Sequence, residues 1–168
     1  MEINNRVASS GLLTFDLESL YPQGERKLID IKEQLFQGLI LREKDFRAFL
    51  KSTDWSVYQN AFVAIYCSSD AVIPTWAYML LAAELTPYAS KIVFGNAEQL
   101  ETQLYLEVLA SLDLGSYKDA KVVVKGCGNL PVPRAACVEV MHLLRPIAKS
   151  IMYGEPCSTV PVFKRKTS

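Results

Sequence analysis

The 168-residue chain sets 18 Lys and Arg against 18 Asp and Glu, and half of it is hydrophobic. A net charge of zero gives no electrostatic case for nucleic acid or an anionic membrane surface, because both need a surplus of cations. No apolar stretch of about 18 residues runs unbroken, so no bilayer span is expected. Met1-Glu2-Ile3-Asn4-Asn5-Arg6 lacks the basic start and apolar core of a secretory signal, and the expected location is the cytoplasm. There the four cysteines are thiols or ligands rather than disulfides. The length predicts one domain, 1–168.

Residues 1–60 predict an N-terminal α+β layer that covers the rest. Gly11–Leu17 suggests a strand, Leu28–Phe36 a short helix, and Glu43–Lys51 a helix that packs Phe46, Phe49 and Leu50. Residues 61–154 predict a core of repeated strand, helix, strand. Its first strand is Phe62–Tyr66, an apolar run of the kind found in buried parallel strands. The helix Thr75–Leu85 carries Trp76, Met79, Leu80 and Leu81 on several faces, which predicts burial all round. Asn96 suits the N-cap of a helix Ala97–Leu112 with a stripe of Leu100, Leu104, Val108 and Leu112. Val122–Val124 and Ser150–Tyr153 are the next apolar runs, and residues 155–168 form a C-terminal Cys loop and tail.

The segments Phe62–Gly95 and Val122–Gly154 resemble each other. Aligned on Cys67 and Cys127, and with a one-residue gap in the following loop, they match at Pro74/Pro133, Ala77/Ala136, Leu85/Leu144, Pro87/Pro146, Ala89/Ala148, Ile92/Ile151 and Gly95/Gly154. Pro74 and Pro133 suit a first helical turn, and Pro87 and Pro146 fall where each helix should stop. The order βαβαβαβ predicts an α/β fold: one parallel four-stranded sheet built from two βαβ units, with strand order 2-1-3-4.

In that arrangement Cys67, Cys127 and Cys157 each follow a strand, and the three strands lie side by side, about 4.8 Å apart. Loops at the carboxyl ends of such strands are where open α/β sheets bind ligands. Three converging thiols favour soft metals or iron–sulfur chemistry. With no C-x-x-C pair, a zinc ribbon or a thioredoxin-type motif does not fit. Asp70 could supply a fourth, oxygen ligand or merely cap the next helix; Glu98 is a weaker candidate. Cys137, inside a helix, reads as packing. His142, the only histidine, lies mid-helix, so hydrolase arrangements that need it are disfavoured. Phosphate-loop motifs are absent from the sequence.

The strings Tyr66-Cys67-Ser68-Ser69-Asp70-Ala71-Val72-Ile73-Pro74-Thr75-Trp76-Ala77-Tyr78, Val124-Lys125-Gly126-Cys127-Gly128 and Gly154-Glu155-Pro156-Cys157-Ser158-Thr159-Val160-Pro161 resemble one bacterial family. It is domain of unknown function 2480; Gly38-Leu39-Ile40-Leu41-Arg42-Glu43-Lys44-Asp45-Phe46-Arg47 is similar to its N-terminal signature. The resemblance implies a cytoplasmic protein without an assigned activity. The frequent placement of such genes beside iron–sulfur assembly genes of the sulfur-mobilisation type implies iron–sulfur assembly proteins as partners. The expected function is a metal-binding accessory protein for iron–sulfur cluster assembly or carriage, with Cys67, Cys127 and Cys157 as ligands to a cluster, or to a Zn or Fe ion, and Asp70 beside them. The alternatives are a persulfide-transfer enzyme with a cysteine nucleophile and an interaction module whose cysteines only pack.

Overall fold

The computed structural model describes residues 11–126, 128–155 and 158–168, the Glu155 side chain excepted. In chain order its elements are β1 (Leu12–Asp16), β2 (Arg26–Asp30), α1 (Glu43–Ser52), β3 (Phe62–Tyr66), α2 (Thr75–Leu85), β4 (Lys91–Phe94), α3 (Ala97–Ala110), β5 (Lys121–Lys125), α4 (Arg134–Leu144), β6 (Ser150–Glu155) and β7 (Ser158–Lys164). The chain divides into two compact units, Gln23–Gln103 and Met1–Pro22 with Leu104–Ser168, and the boundary falls inside α3. Among the described residues no helix is long and apolar enough to cross a membrane.

The expected α/β character holds, but the single parallel four-stranded sheet of order 2-1-3-4 does not. There are two sheets: a three-stranded one of order β2-β3-β4, and a four-stranded one of order β1-β5-β6-β7. The first is wholly parallel; the second is mixed, because β7 returns antiparallel to β6. The physical reason is that each βαβ unit has a strand of its own from the N-terminal region. β2 occupies the edge of β3, and β1 that of β5, in parallel registers Arg26↔Phe62 to Asp30↔Tyr66 and Leu12↔Lys121 to Asp16↔Lys125. Those ladders fill the edges through which the two βαβ units would otherwise have joined. The first 60 residues thus contribute one strand to each sheet.

The repeat is longer than the sequence suggested, and it needs no gap. A constant offset of 59 residues superposes 41–95 on 100–154 with fourteen identities in 55 positions, against about three or four expected from residue usage. Tertiary details follow the same offset. Pro74 and Pro133 are the N-caps of α2 and α4, helices of 11 residues each. Asp54 and Asp113 each accept the N–H two residues on, at 3.0 and 2.9 Å, and so start matching 3-10 turns. Asn60 and Asp119 both adopt positive φ (61° and 57°), and their N–H groups donate to Tyr88 and Ile147 carbonyls. At this offset Cys67 superposes on Gly126, and Cys127 comes one residue later; aligning the two cysteines had forced the spurious gap.

The cores correspond position by position. Phe46, Leu50, Val63, Ala77, Leu81 and Leu85 are buried in one unit, and Tyr105, Leu109, Val122, Ala136, Val140 and Leu144 in the other. Middle strands are buried on successive residues, Val63-Ala64-Ile65 and Val122-Val123-Val124, as parallel strands covered on both faces require. α2, apolar all round in sequence, buries only the stripe Ala77, Leu81 and Leu85, and Met79 is 67% exposed. The segment Leu28–Phe36 is not a helix. Arg26–Asp30 is held in the β3 ladder, and a 3-10 turn over Ile31–Gln34 begins where Asp30 caps the Lys32 N–H. α3 opens with a capping box: Asn96 Oδ1 accepts the Gln99 N–H at 3.0 Å, and Gln99 Oε1 accepts the Asn96 N–H at 2.8 Å.

Each third strand has, at or just past its end, a glycine that the repeat superposes, Gly95 (φ 144°) and Gly154 (φ 114°). A Cβ on Gly95 would meet Gln99 Cβ at 2.7 Å, and one on Gly154 the Ser158 carbonyl oxygen at 2.8 Å. Gly95→Ala and Gly154→Ala should therefore each cost about 1–3 kcal/mol. The measurement is urea denaturation, in which the midpoint should fall with the slope unchanged; an unmoved midpoint would show that the backbone there is not constrained as described.

Candidate functional site

In the Gln23–Gln103 unit, β2 and β3 end together, and the carboxylate of Asp30 fastens the loop that leaves β3. Its Oδ1 accepts the N–H groups of Lys32 and Ser68, both at 3.0 Å, and its Oδ2 accepts the Ser68 hydroxyl at 2.6 Å. Partial burial pushes the Asp30 carboxyl up, but the Ser68 hydroxyl and the two N–H donors outweigh it and hold the group below its ordinary value of 3.8. Cys67, half-buried against the core, points its Sγ at the Ser69 carbonyl oxygen, 3.7 Å away. Tyr78 of α2 borders the same loop. Burial pushes its phenol up, and electrostatic coupling to Cys67 and Asp30 adds to that. Asp70 is exposed on the loop beyond.

The other unit builds the equivalent end from different side chains. Asp16 Oδ1 accepts the Glu18 N–H at 3.0 Å, as Asp30 accepts that of Lys32, and the Leu17 N–H donates to the Lys125 carbonyl at 2.9 Å. Glu18 then reaches the loop after β5, where its Oε1 accepts the Leu130 N–H at 2.7 Å. Gly128 leaves room for that carboxylate, which a Cβ at Gly128 would overlap. Around Gly126 lie Leu17, Tyr153 and Cys137: the Cys137 Sγ is 3.7 Å, and the Tyr153 hydroxyl oxygen 3.5 Å, from where a Cβ would sit. Cys137 also borders an almost wholly apolar cavity of about 300 Å³ between α4 and the β6–β7 pair, lined also by Val124, Met141, Ile151 and Met152.

The sequence leads us to expect Cys67, Cys127 and Cys157 together, with Asp70 beside them. Cys67 and Asp70 follow β3, in one sheet, whereas Cys127 follows β5 in the other, so adjacency within a single sheet no longer links Cys67 to the rest. Cys127 and Cys157 lie outside the described residues. Their chain neighbours are described: Gly126 and Gly128 flank the first, and the paired residues Glu155 and Ser158 bracket 156–157 between β6 and β7. Among the described residues no three His, Cys, Asp or Glu are grouped to hold a metal ion. His142 is exposed on α4 and Glu98 in the first turn of α3. Cys137, read from sequence as packing, is the residue that the structure brings to the strand-end loop. The signal was in the repeat, because the 59-residue offset places it on Tyr78.

Two outcomes follow for these loops. Gly128→Ala displaces the Glu18 carboxylate from the Leu130 N–H and should cost about 1–2 kcal/mol, whereas Gly126→Ala meets only contacts of 3.4 Å or more and should cost less; urea midpoints of the pair would decide, and the reverse order would contradict the geometry. The stabilisation that comes from Asp30's depressed value is complete above 3.8 and lost as pH falls through the lower folded value. The stability gap between wild type and Asp30→Asn should therefore narrow below about pH 4 and stay constant from pH 5 to 7; a gap that persists undiminished at pH 2 would contradict the assignment.

Compared with known proteins, the chain matches the family model described as a protein of unknown function, DUF2480, over residues 1–165. No curated protein and no solved structure matches it. The match takes in both units and both strand-end loops, and on that extent the chain belongs to the DUF2480 family.

Proposed function

We propose that this is a metal-binding accessory protein whose thiols, at the carboxyl end of the β1-β5-β6-β7 sheet, hold an iron–sulfur cluster or a soft metal ion. The observation that carries this reading is the Cys137 Sγ, 3.7 Å from the Cβ position of Gly126, the residue before Cys127. Cys127 is the next residue of the chain, and the proposed site takes it together with Cys137 as a ligand. Cys157 belongs to the connection that leaves β6, the strand beside β5. Three thiolates from three elements suit Zn, Fe or an iron–sulfur cluster with one further position open. A cluster there would supply an iron–sulfur unit for transfer, with iron–sulfur assembly proteins as partners in a reducing, cytoplasmic setting. Cys67 and Asp70, also expected from the sequence as ligands, belong to the other unit.

The test is anaerobic reconstitution with iron and sulfide, and separately with zinc, followed by metal analysis and absorption spectra. Cys127→Ser, Cys137→Ser and Cys157→Ser should each sharply lower occupancy, because an oxygen replaces a soft thiolate poorly, while Cys67→Ser should leave it unchanged. Occupancy lost with Cys67→Ser but kept with Cys137→Ser would move the site away from this sheet. If no metal binds and a single cysteine alkylates fastest and is alone required for sulfur transfer, the protein acts by persulfide chemistry. Equal alkylation of all four cysteines without bound metal leaves them a packing role.

A further inference from the structure

The two units differ at one sheet edge. In the unit that contains Leu104–Ser168, β6 carries β7 antiparallel on its outer side, with Ile151 opposite Phe163 and Tyr153 opposite Val160. The repeat superposes Ile92 and Phe94 of β4 on Ile151 and Tyr153, yet among the described residues β4 is the last strand of its sheet. The Gly95 N–H donates inward to Ile65, so in a parallel ladder residues 91, 93 and 95 face β3, and the N–H and C=O groups of Ile92 and Phe94 face out. The same edge is apolar. Phe94 is 68% exposed, its ring set edge-on to Tyr78 at 5.0 Å, and Met79 is 67% exposed.

We propose that a second copy of this chain adds its β4 antiparallel to this β4, in the place that β7 takes on β6, so that the sheet continues across a molecular two-fold axis at Val93. The register is self-complementary. Ile92 lies opposite Phe94 of the other copy, and each such pair exchanges two N–H···O bonds, giving four in all. Both exposed phenylalanines are covered. A four-residue strand with its flanking side chains buries a few hundred Å² per copy, below the roughly 800 Å² of a standard interface. The dimer is accordingly weak and reversible.

Sedimentation equilibrium of the full chain in reductant tests this. Wild type should pass from monomer to dimer between about 10 µM and 1 mM, as an interface of this size implies, and Phe94→Glu should weaken association at least about tenfold with its unfolding midpoint retained. Should Phe94→Glu fail to fold by circular dichroism, Val93→Cys decides. Positions 93 of two copies face each other across the axis at a Cα separation of about 4.5 Å, within disulfide range, and on oxidation mass spectrometry should find the 93–93 cross-linked peptide. A wild type that stays monomeric to about 1 mM, or association that survives Phe94→Glu and yields no 93–93 peptide, overturns the proposal.

Discussion

Both units depend on a parallel ladder between a strand from the N-terminal region and the middle strand of a βαβ unit, β2 with β3 and β1 with β5. A parallel pair cannot be closed by a hairpin; it needs a long connection. The chain meets that requirement differently in the two cases. β2 reaches β3 through α1, while β1 reaches β5 only after the whole Gln23–Gln103 unit has intervened. Because both strands of each ladder end at the same level, the aspartate that closes the first strand is beside the loop that leaves the second. Asp30 binds Ser68 directly, and Asp16 turns the chain so that Glu18 binds Leu130. The loops next to Cys67 and Cys127 are held by this pairing.

On a scaffold repeated so closely, the differences between the units carry the chemistry. Core positions are exchanged conservatively, Phe46 for Tyr105 and Leu81 for Val140, which keeps volume and burial. At the strand ends the exchanges change chemical type. Tyr78 is replaced by Cys137, Cys67 by Gly126 and Ser69 by Gly128. One unit thus has a single, half-buried thiol, and the other a helix thiol facing a loop with glycines on both sides of Cys127. The apolar cavity beside Cys137 also depends on β7, whose Val162 forms part of its wall. Among the described residues the three-stranded sheet has no strand equivalent to β7.

Local structure was legible because local chemistry decides it. Pro74 and Pro133 mark helix starts that the N–H count permits, Asn96 caps α3, and the runs Phe62–Tyr66 and Val122–Val124 are strands because their branched and aromatic side chains suit burial on both faces. Legibility failed where two signals competed. Leu28, Ile31 and Leu35 have helical spacing, but pairing of Arg26–Asp30 with β3 outweighs it. α2 is apolar on all sides, but only the Ala77, Leu81 and Leu85 stripe finds a partner surface.

By itself the sequence determined the α/β class, the family, the helix boundaries of the repeat and the position of thiols just after strands, since these follow from residue type and spacing within a few turns of chain. Only the tertiary structure decided which strands share a sheet. A βαβ unit fixes the direction and handedness of its own crossover but carries no information on which strand will fill its free edge. That choice joins Leu12–Asp16 to Lys121–Lys125 across more than a hundred residues. It sets Cys67 just after a strand of one sheet and Gly126 just after a strand of the other, and it brings Cys137, a helix residue with an ordinary packing signature, to Gly126.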